Sequence, residues 1–194
     1  IGGIGMSGIA RLLLKTGVEV SGSDLKVSEI TRMLAAEGAR VFMGHSASNL
    51  WGTPCRKVSP SVVVFSSAVK AGNPELAAAR KKGLKIVPRA LMLAKLAGAK
   101  KTVTVSGSHG KTSTTSMLAS ALEGAGADAT VVVGGLFRNI ASNIKMGAGQ
   151  YLVAEADESD GSFLYFDPLV TCVTNIDSDH LDHYKSMANL KAAF

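Results

Sequence analysis

The sequence predicts an α/β protein: a Rossmann-like parallel-sheet domain followed by a P-loop-type α/β domain that the chain carries only in part. Three observations carry that expectation. Short β-branched runs alternate with helical periodicity, which calls for parallel strands with helices on their faces. A G-x-G-x-x-G run opens the chain, and an aspartate follows about 20 residues later. After residue 101 the alternation restarts, and its first strand runs into a glycine–lysine–threonine turn that opens a helix.

Taken in order, the glycine run leads into a helix expected from around Ser7. Strands are expected over 18–24, 40–44, 61–68 and 84–88, each bounded by glycine, proline or serine, with helices over 28–38 and 73–83 between them. Asn73 before Pro74 reads as an N-cap, and Gly83 as a C-cap. The stretch 89–101 leads to a boundary near residues 98–102, giving one domain over 1–98 and another over 99–194. In the second, strands are expected from Thr102 and over 129–135, 150–157 and 169–177. A glycine fingerprint normally follows a strand, and here the chain opens inside the fingerprint and stops within a helical pattern. The sequence therefore reads as a piece of a longer protein.

Composition narrows the function classes. Of 194 residues, 46% are hydrophobic and 19% charged, ordinary for a globular protein. The formal charge of +6 suits an anionic partner, but the basic residues are scattered, which fits a nucleotide and disfavours nucleic acid. Cys55 and Cys172 are too few for a disulfide framework or a zinc site, and Cys172 lies in an apolar run. No apolar stretch reaches the roughly 18 residues a membrane span needs, and no signal peptide is visible. A cytoplasmic protein is expected.

Four motifs carry chemistry. Gly3, Gly5 and Gly8 fit G-x-G-x-x-G, and Asp24 closes the following strand where a Rossmann fold keeps its ribose-binding acid. Glycines let the backbone approach a diphosphate at a helix N-terminus. The pattern does not say which nucleotide, with NAD the default, and a tight turn that only packs helix on sheet is the plain alternative. "GSHGKTS" at 107–113 supplies Gly107, Ser108, His109, Gly110, Lys111, Thr112 and Ser113 between strand and helix. Its N–H groups can wrap phosphates, Lys111 can reach the β- and γ-oxygens, and the Thr112 hydroxyl can ligate Mg²⁺. A strict Walker A motif would have glycine where Val105 stands, so this is the shorter G-x-x-G-K-T form. "EADESDGS" at 155–162 crowds Glu155, Asp157, Glu158 and Asp160 at a strand end, either a solvated loop or a Mg²⁺ site beside the P-loop. "NIDSDHLDHY" at 175–184 holds His180 and His183 among aspartates, either a metal cluster or a polar turn.

In this order and spacing, "GIGMSGIA", "SSAV", "GSHGKTSTT", "EADESDGSF" and "TNIDSDHLDHY" resemble the Mur ligase family. The likeness covers nearly the whole chain, and the shortened P-loop is that family's normal form. The resemblance implies an ATP-dependent ligase that joins L-alanine to the lactyl carboxylate of UDP-N-acetylmuramate through an acyl phosphate, with ATP and Mg²⁺ required. It implies that Gly2, Gly3, Gly5, Met6 and Ser7 hold the UDP diphosphate. Asp24 would lie near the uridine end, with His45, Ser66 and Ser67 completing its pocket. Residues 107–113 would bind ATP, Lys111 would offset phosphate charge, and Thr112, Glu155 and His180 would be metal ligands. Lys111, Glu155 and His180 are thereby the expected catalytic set, and Asn143 and Ser162 the expected sugar contacts, while His183 is local structure. A third domain, absent from residues 1–194, is expected to close over the ATP and amino-acid sites. The remaining alternatives are a sister ligase that recycles a tripeptide onto the same UDP-sugar, and a non-catalytic nucleotide- or NAD-binding module.

Overall fold

The computed structural model describes residues 1–53, 56, 57, 59–134, 143–159, 161–179 and 181–194, with backbone alone at 52, 53, 56, 57 and 162. Cys55, Asp160 and His180 lie outside the described residues, as does the side chain of Ser162. The chain divides into two compact units, Ile1–Met92 and Leu93–Phe194.

In the first unit a glycine turn enters α1 (Ile4–Lys15), followed by β1 (Ser21–Asp24), α2 (Glu29–Ala36) and β2 (Arg40–Met43). A 3-10 turn (Ala47–Trp51), the short antiparallel pair β3 (Gly52–Thr53) and β4 (Arg56–Lys57), β5 (Val62–Phe65), α3 (Pro74–Lys81) and β6 (Lys85–Pro88) complete it, and α4 (Arg89–Ala97) runs across the division. The helix α1 starts three residues before the expected Ser7. Gly3 takes extended angles (φ −66, ψ 147) and its carbonyl already accepts the Ser7 N–H at 2.8 Å, so the first helical hydrogen bond closes there. Ser28 caps α2 in a reciprocal box with Thr31. Asn73 caps α3 by accepting from the Glu75 and Leu76 N–H groups, and Gly83 follows the C-cap at φ +66.

β1 pairs with β2 and β5 with β6, both in parallel. Among the described residues these remain two separate two-stranded ladders, not the single sheet the alternation suggests. Ile1 occupies the ladder position beside β1: its main-chain nitrogen donates to Ser23 O at 2.7 Å, and its side chain lies against Gly22. One residue makes no strand. The core here packs Ala10 of α1 against Leu34 and Ala39, with Ile1, Leu14, Val20, Ile30 and Val41 around them.

The second unit is wound around one five-stranded sheet. It runs β7 (Lys101–Ser106), α5 (Lys111–Gly124), β8 (Thr130–Val132), β9 (Ile144–Lys145), β10 (Tyr151–Glu155), a 3-10 turn (Ser162–Tyr165), β11 (Val170–Val173), α6 (Leu181–Tyr184) and α7 (Met187–Ala193). The strand order is β11-β7-β10-β8-β9, parallel except for β9, which pairs antiparallel with β8. The chain leaves β7 toward β8 on one side and reaches β11 on the other. The carboxyl end of β7 is therefore where the winding changes direction, the position at which open α/β sheets hold ligands. Behind it, Ala129, Val131, Val133 and Val153 form a buried cluster under Leu118, Ala119 and Leu122 of α5.

Candidate functional site

Five of the helix starts separate into two kinds. Ser28, Asn73 and Ser186 cap α2, α3 and α7 with their side chains. α1 and α5 begin after Gly3 and Gly110, with no side-chain cap and no acid in the first turn. Their first N–H groups and the positive end of each helix dipole are left for an anion.

At α5 the loop is built to hold its shape. Gly107 sits at φ +122, and a Cβ there would lie 2.3 Å from Thr174 Oγ1 and 2.6 Å from Asn175 O. Gly110 has φ +82 with open space around it, so its need for glycine is conformational alone. Residues 174–177, which follow β11, form the loop's floor. Asn175 accepts from Ser108 N (3.1 Å) through its carbonyl and from His109 N (3.0 Å) through Oδ1, and its Nδ2 donates to His109 O at 3.0 Å. Thr174 Oγ1 donates to His109 O at 2.6 Å, and Ser108 Oγ accepts from Asp177 N at 2.9 Å. The concavity above is lined by Ser108, His109, Gly110, Lys111, Thr112 and Ser113. Thr112 and Ser113 are exposed in the first turn of α5. Sequence reasoning missed the bracing role of Thr174 and Asn175, although both stand in the run "TNIDSDHLDHY" that it singled out.

Lys111 lies folded on its own loop. Its Nζ donates to Gly107 O at 2.6 Å, Ser108 O at 3.3 Å and Glu158 Oε1 at 2.8 Å. Glu158 is fully buried, so this is an ion pair largely withdrawn from water. The acidic run thus separates by position. Glu155 ends β10 in register with Val105 of β7. Its Oε2 accepts from Gly134 N, and its Oε1 is buried with no partner among the described residues. Asp157 is exposed and accepts from Ser159 N at 2.9 Å.

With His180 outside the described residues, Asp177, Asp179, Asp182 and His183 form no metal cluster by themselves. Among the described residues no three of His, Cys, Asp and Glu stand close enough to hold a metal ion. His109 Nε2 lies 3.5 Å from both Asp177 Oδ2 and Asp179 Oδ2. The backbone N–H of Ser178, with His109 opposite, holds the exposed Asp177 carboxyl below the usual carboxylate range. His183 packs edge-on to Tyr184. Asn143 is buried, and its Nδ2 donates to Val133 O at 3.2 Å where β8 and β9 are joined.

At α1 the glycine turn is held by a single carboxylate. Asp24 Oδ2 accepts from Gly2 N at 2.7 Å, and Oδ1 from Lys26 N at 3.3 Å. Burial raises the Asp24 pKa, the Gly2 and Lys26 N–H groups lower it, and the net shift is downward. A Cβ on Gly2 would come within 2.6 Å of Thr31 Cγ2 and 2.8 Å of Asp24 Oδ2, so Gly2 is needed for space. Gly3 has ordinary φ, and a Cβ added there would meet nothing within 4 Å, so no contact among the described residues requires it to be glycine. A Cβ on Gly5 would lie 3.0 Å from Arg89 Nη1. That guanidinium, at the carboxyl end of β6, stands beside the open start of α1, and nothing in the sequence singles it out. Met6 is half-buried, and Ser7 is buried with its hydroxyl donating to Ile4 O at 2.9 Å. His45 follows β2 and lies 2.8 Å from Ser23 Oγ. Ser66 and Ser67 follow β5, where Ser66 Oγ accepts from Ala68 N at 3.3 Å and Ser67 is exposed.

Comparison with known proteins supplies the family. Residues 1–101 match the model of the Mur ligase family, catalytic domain, and residues 105–194 that of the Mur ligase middle domain. A UDP-N-acetylmuramate–L-alanine ligase from Desulfatibacillum aliphaticivorans is 53% identical over all 194 residues, which span 41% of that relative. The crystal structure of a UDP-N-acetylmuramate–alanine ligase from Thermotoga maritima superposes with a TM-score of 0.84 at 34% identity, covering 100% of this chain and 44% of that one. A UDP-N-acetylmuramate:L-alanyl-γ-D-glutamyl-meso-diaminopimelate ligase from Neisseria meningitides gives 0.85 at 28% identity, covering 100% of this chain and 64% of that one.

Proposed function

The chain belongs to the Mur ligase family, and from that membership we propose that it is the part of an ATP-dependent ligase that binds UDP-N-acetylmuramate and ATP, for joining L-alanine to the sugar's lactyl carboxylate in peptidoglycan synthesis. The observation that carries the reading is the pair of uncapped, acid-free helix starts, each behind a glycine turn: one holds the UDP diphosphate at α1, the other the ATP phosphates at α5. The alanine ligases of Desulfatibacillum aliphaticivorans and Thermotoga maritima support the alanine-adding activity.

In this reading the lactyl carboxylate attacks the γ-phosphate, giving an acyl phosphate and ADP. The amine of L-alanine then attacks the acyl carbon, phosphate leaves, and the amine's surplus proton passes to solvent. Two anions must meet in the first step. Lys111 offsets their repulsion once it exchanges the Gly107 and Ser108 carbonyls for phosphate oxygens, with Glu158 keeping its ammonium over the loop. No protein nucleophile is needed. The residues also fit a magnesium ion: the buried Glu155 Oε1 lacks a partner among the described residues, and Thr112 offers an exposed hydroxyl at the start of the helix that follows the neighbouring strand. Mg²⁺ typically takes one or two protein ligands beside phosphate oxygens, and when bound it neutralises phosphate charge. His180, the third ligand the resemblance implies, lies outside the described residues. The Asp24 carboxylate faces the uridine side of the α1 turn, and a cytoplasmic site of action follows from the substrates.

Calorimetry on the full-length protein tests the binding half: UDP-N-acetylmuramate should bind and NADH should not. The reverse result would assign the first unit to a dinucleotide and leave a nucleotide- or NAD-binding module as the better reading. The likeness to the tripeptide ligase of Neisseria meningitides supports a second amine substrate, and a preference for tripeptide over L-alanine in a ligation assay would favour that sister.

A further inference from the structure

Ser23, His45 and Glu75 form a polar knot in the first unit whose hydrogen bonding none of the roles above uses. Ser23 Oγ, buried near the carboxyl end of β1, lies 2.7 Å from Glu75 Oε2 and 2.8 Å from His45 Nδ1. The other Glu75 oxygen accepts from Asn49 Nδ2 at 2.7 Å and from Ser46 N at 3.4 Å. Glu75 stands in the first turn of α3, where the helix dipole favours a carboxylate, and its side chain is 16% exposed.

Proton counting fixes the direction of these bonds. An ionised carboxylate only accepts, so the single hydroxyl proton of Ser23 goes to Glu75. Ser23 Oγ must then accept from His45, which places the imidazole proton on Nδ1. His45 Nε2 is left as an acceptor on a half-buried ring.

We propose that Glu75 is a positioning residue: acting through Ser23, it fixes His45 as the Nδ1–H tautomer, so that Nε2 accepts a hydrogen bond from the nucleobase of the first unit's ligand. An acceptor there selects a uracil-type imide, whose N3 carries a proton, over cytosine, whose N3 does not. The nucleobase part rests on the reading that this unit holds a uridine nucleotide. The tautomer part does not. A Glu75 that merely pinned α3 to the 3-10 turn would change stability and leave the ring's proton where it was.

The experiment is ¹⁵N NMR on full-length protein labelled at histidine, near pH 8, with the His45 signals assigned by H45Q. Wild type should show Nδ1 protonated and Nε2 bare. In E75Q the donors of Asn49 and Ser46 hold the amide oxygen, so the amide NH₂ faces Ser23. The serine hydroxyl then turns its proton to His45, and the ring should switch to Nε2–H. UDP affinity should fall roughly tenfold in E75Q while CDP affinity does not fall, since a donor now faces the imide N–H. A wild-type Nε2–H signal, or a folded E75Q that keeps the wild-type tautomer, overturns the proposal. If E75Q fails to fold, wild type still decides: equal binding of UDP and CDP overturns the selection, and a UDP preference with the Nδ1–H signal supports it. Wild type that binds no UDP at all defeats the uridine reading of the first unit and the selection built on it, while the two tautomer signals still judge the part played by Glu75.

Discussion

The two glycine turns carry the same kind of signature and use their glycines for different reasons. At α5, Gly107 and Gly110 have positive φ, and residues 174–177 brace the loop from below with main-chain and side-chain bonds. At α1 no glycine of the turn has positive φ, and the Asp24 carboxylate holds it through one N–H. The loop at α5 is therefore set before any ligand arrives. The turn at α1 leaves Gly3 unconstrained by the described residues, and in the proposed reading the reason for a glycine there is the ligand. A pattern of glycines in a sequence states that backbone must come close to something, and only the structure separates a protein neighbour from a ligand.

The comparison can be broken most forcefully at Lys111. In the full-length protein K111A should lower ATP-driven phosphate release by roughly 1000-fold, because the charge that offsets two approaching anions is gone. It should also destabilise the second unit by about 3 kcal/mol, since Glu158 is left buried without its cation. Steady-state kinetics and denaturant unfolding read the two effects separately. Next in size is G107A, which must place a methyl group on Thr174 and Asn175 and hold φ +122. A loss of about 2–4 kcal/mol together with loss of ATP binding is expected from the clash and the strained backbone.

G3A should do the opposite. Its methyl group meets no atom of the described residues within 4 Å, so the melting temperature should stay within the error of the measurement. UDP-sugar affinity should nevertheless drop about tenfold or more, with ATP affinity unchanged, because the added methyl group stands where the diphosphate must approach. Calorimetry with both ligands checks it, and an unaltered UDP-sugar affinity would remove Gly3 from the site. The smallest effect is one of pH. Asp24 has its folded pKa below the ordinary 3.8, so its contribution is present above that value and is lost as pH falls below it through the folded pKa. D24N should show no such acid loss at the α1 turn, and a D24N stability curve parallel to wild type below pH 4 would contradict the account of that carboxylate.

Much of the architecture was legible because it is written in local chemistry. Asn73–Pro74 marks the start of α3, the β-branched run after Lys101 becomes β7, and Gly110 precedes α5. What was not legible depends on contacts between distant segments. β9 has two residues and exists only by pairing with β8, so no periodicity announces it. The start of α1 lies earlier than the sequence suggests because a helix that begins inside its own glycines offers no side-chain cap to read. Arg89 looks like an ordinary polar residue until the fold brings it to Gly5. Asn175, though part of a motif, shows its bracing role only once the fold brings it to His109. The acidic run shows the same limit: four clustered carboxylates in sequence become an exposed Asp157, a buried Glu158 on Lys111 and a strand-end Glu155, with Asp160 outside the described residues.

The central claim is that one turn carries a UDP-sugar and the other ATP so that the sugar's carboxylate can be activated and joined to L-alanine. Phosphate release by the full-length protein, with each substrate omitted in turn, tests it most directly. The account predicts sustained release only when ATP, UDP-N-acetylmuramate and L-alanine are all present, with one phosphate formed per alanine incorporated. Release that continues at the same rate without L-alanine, or without the UDP-sugar, would contradict it.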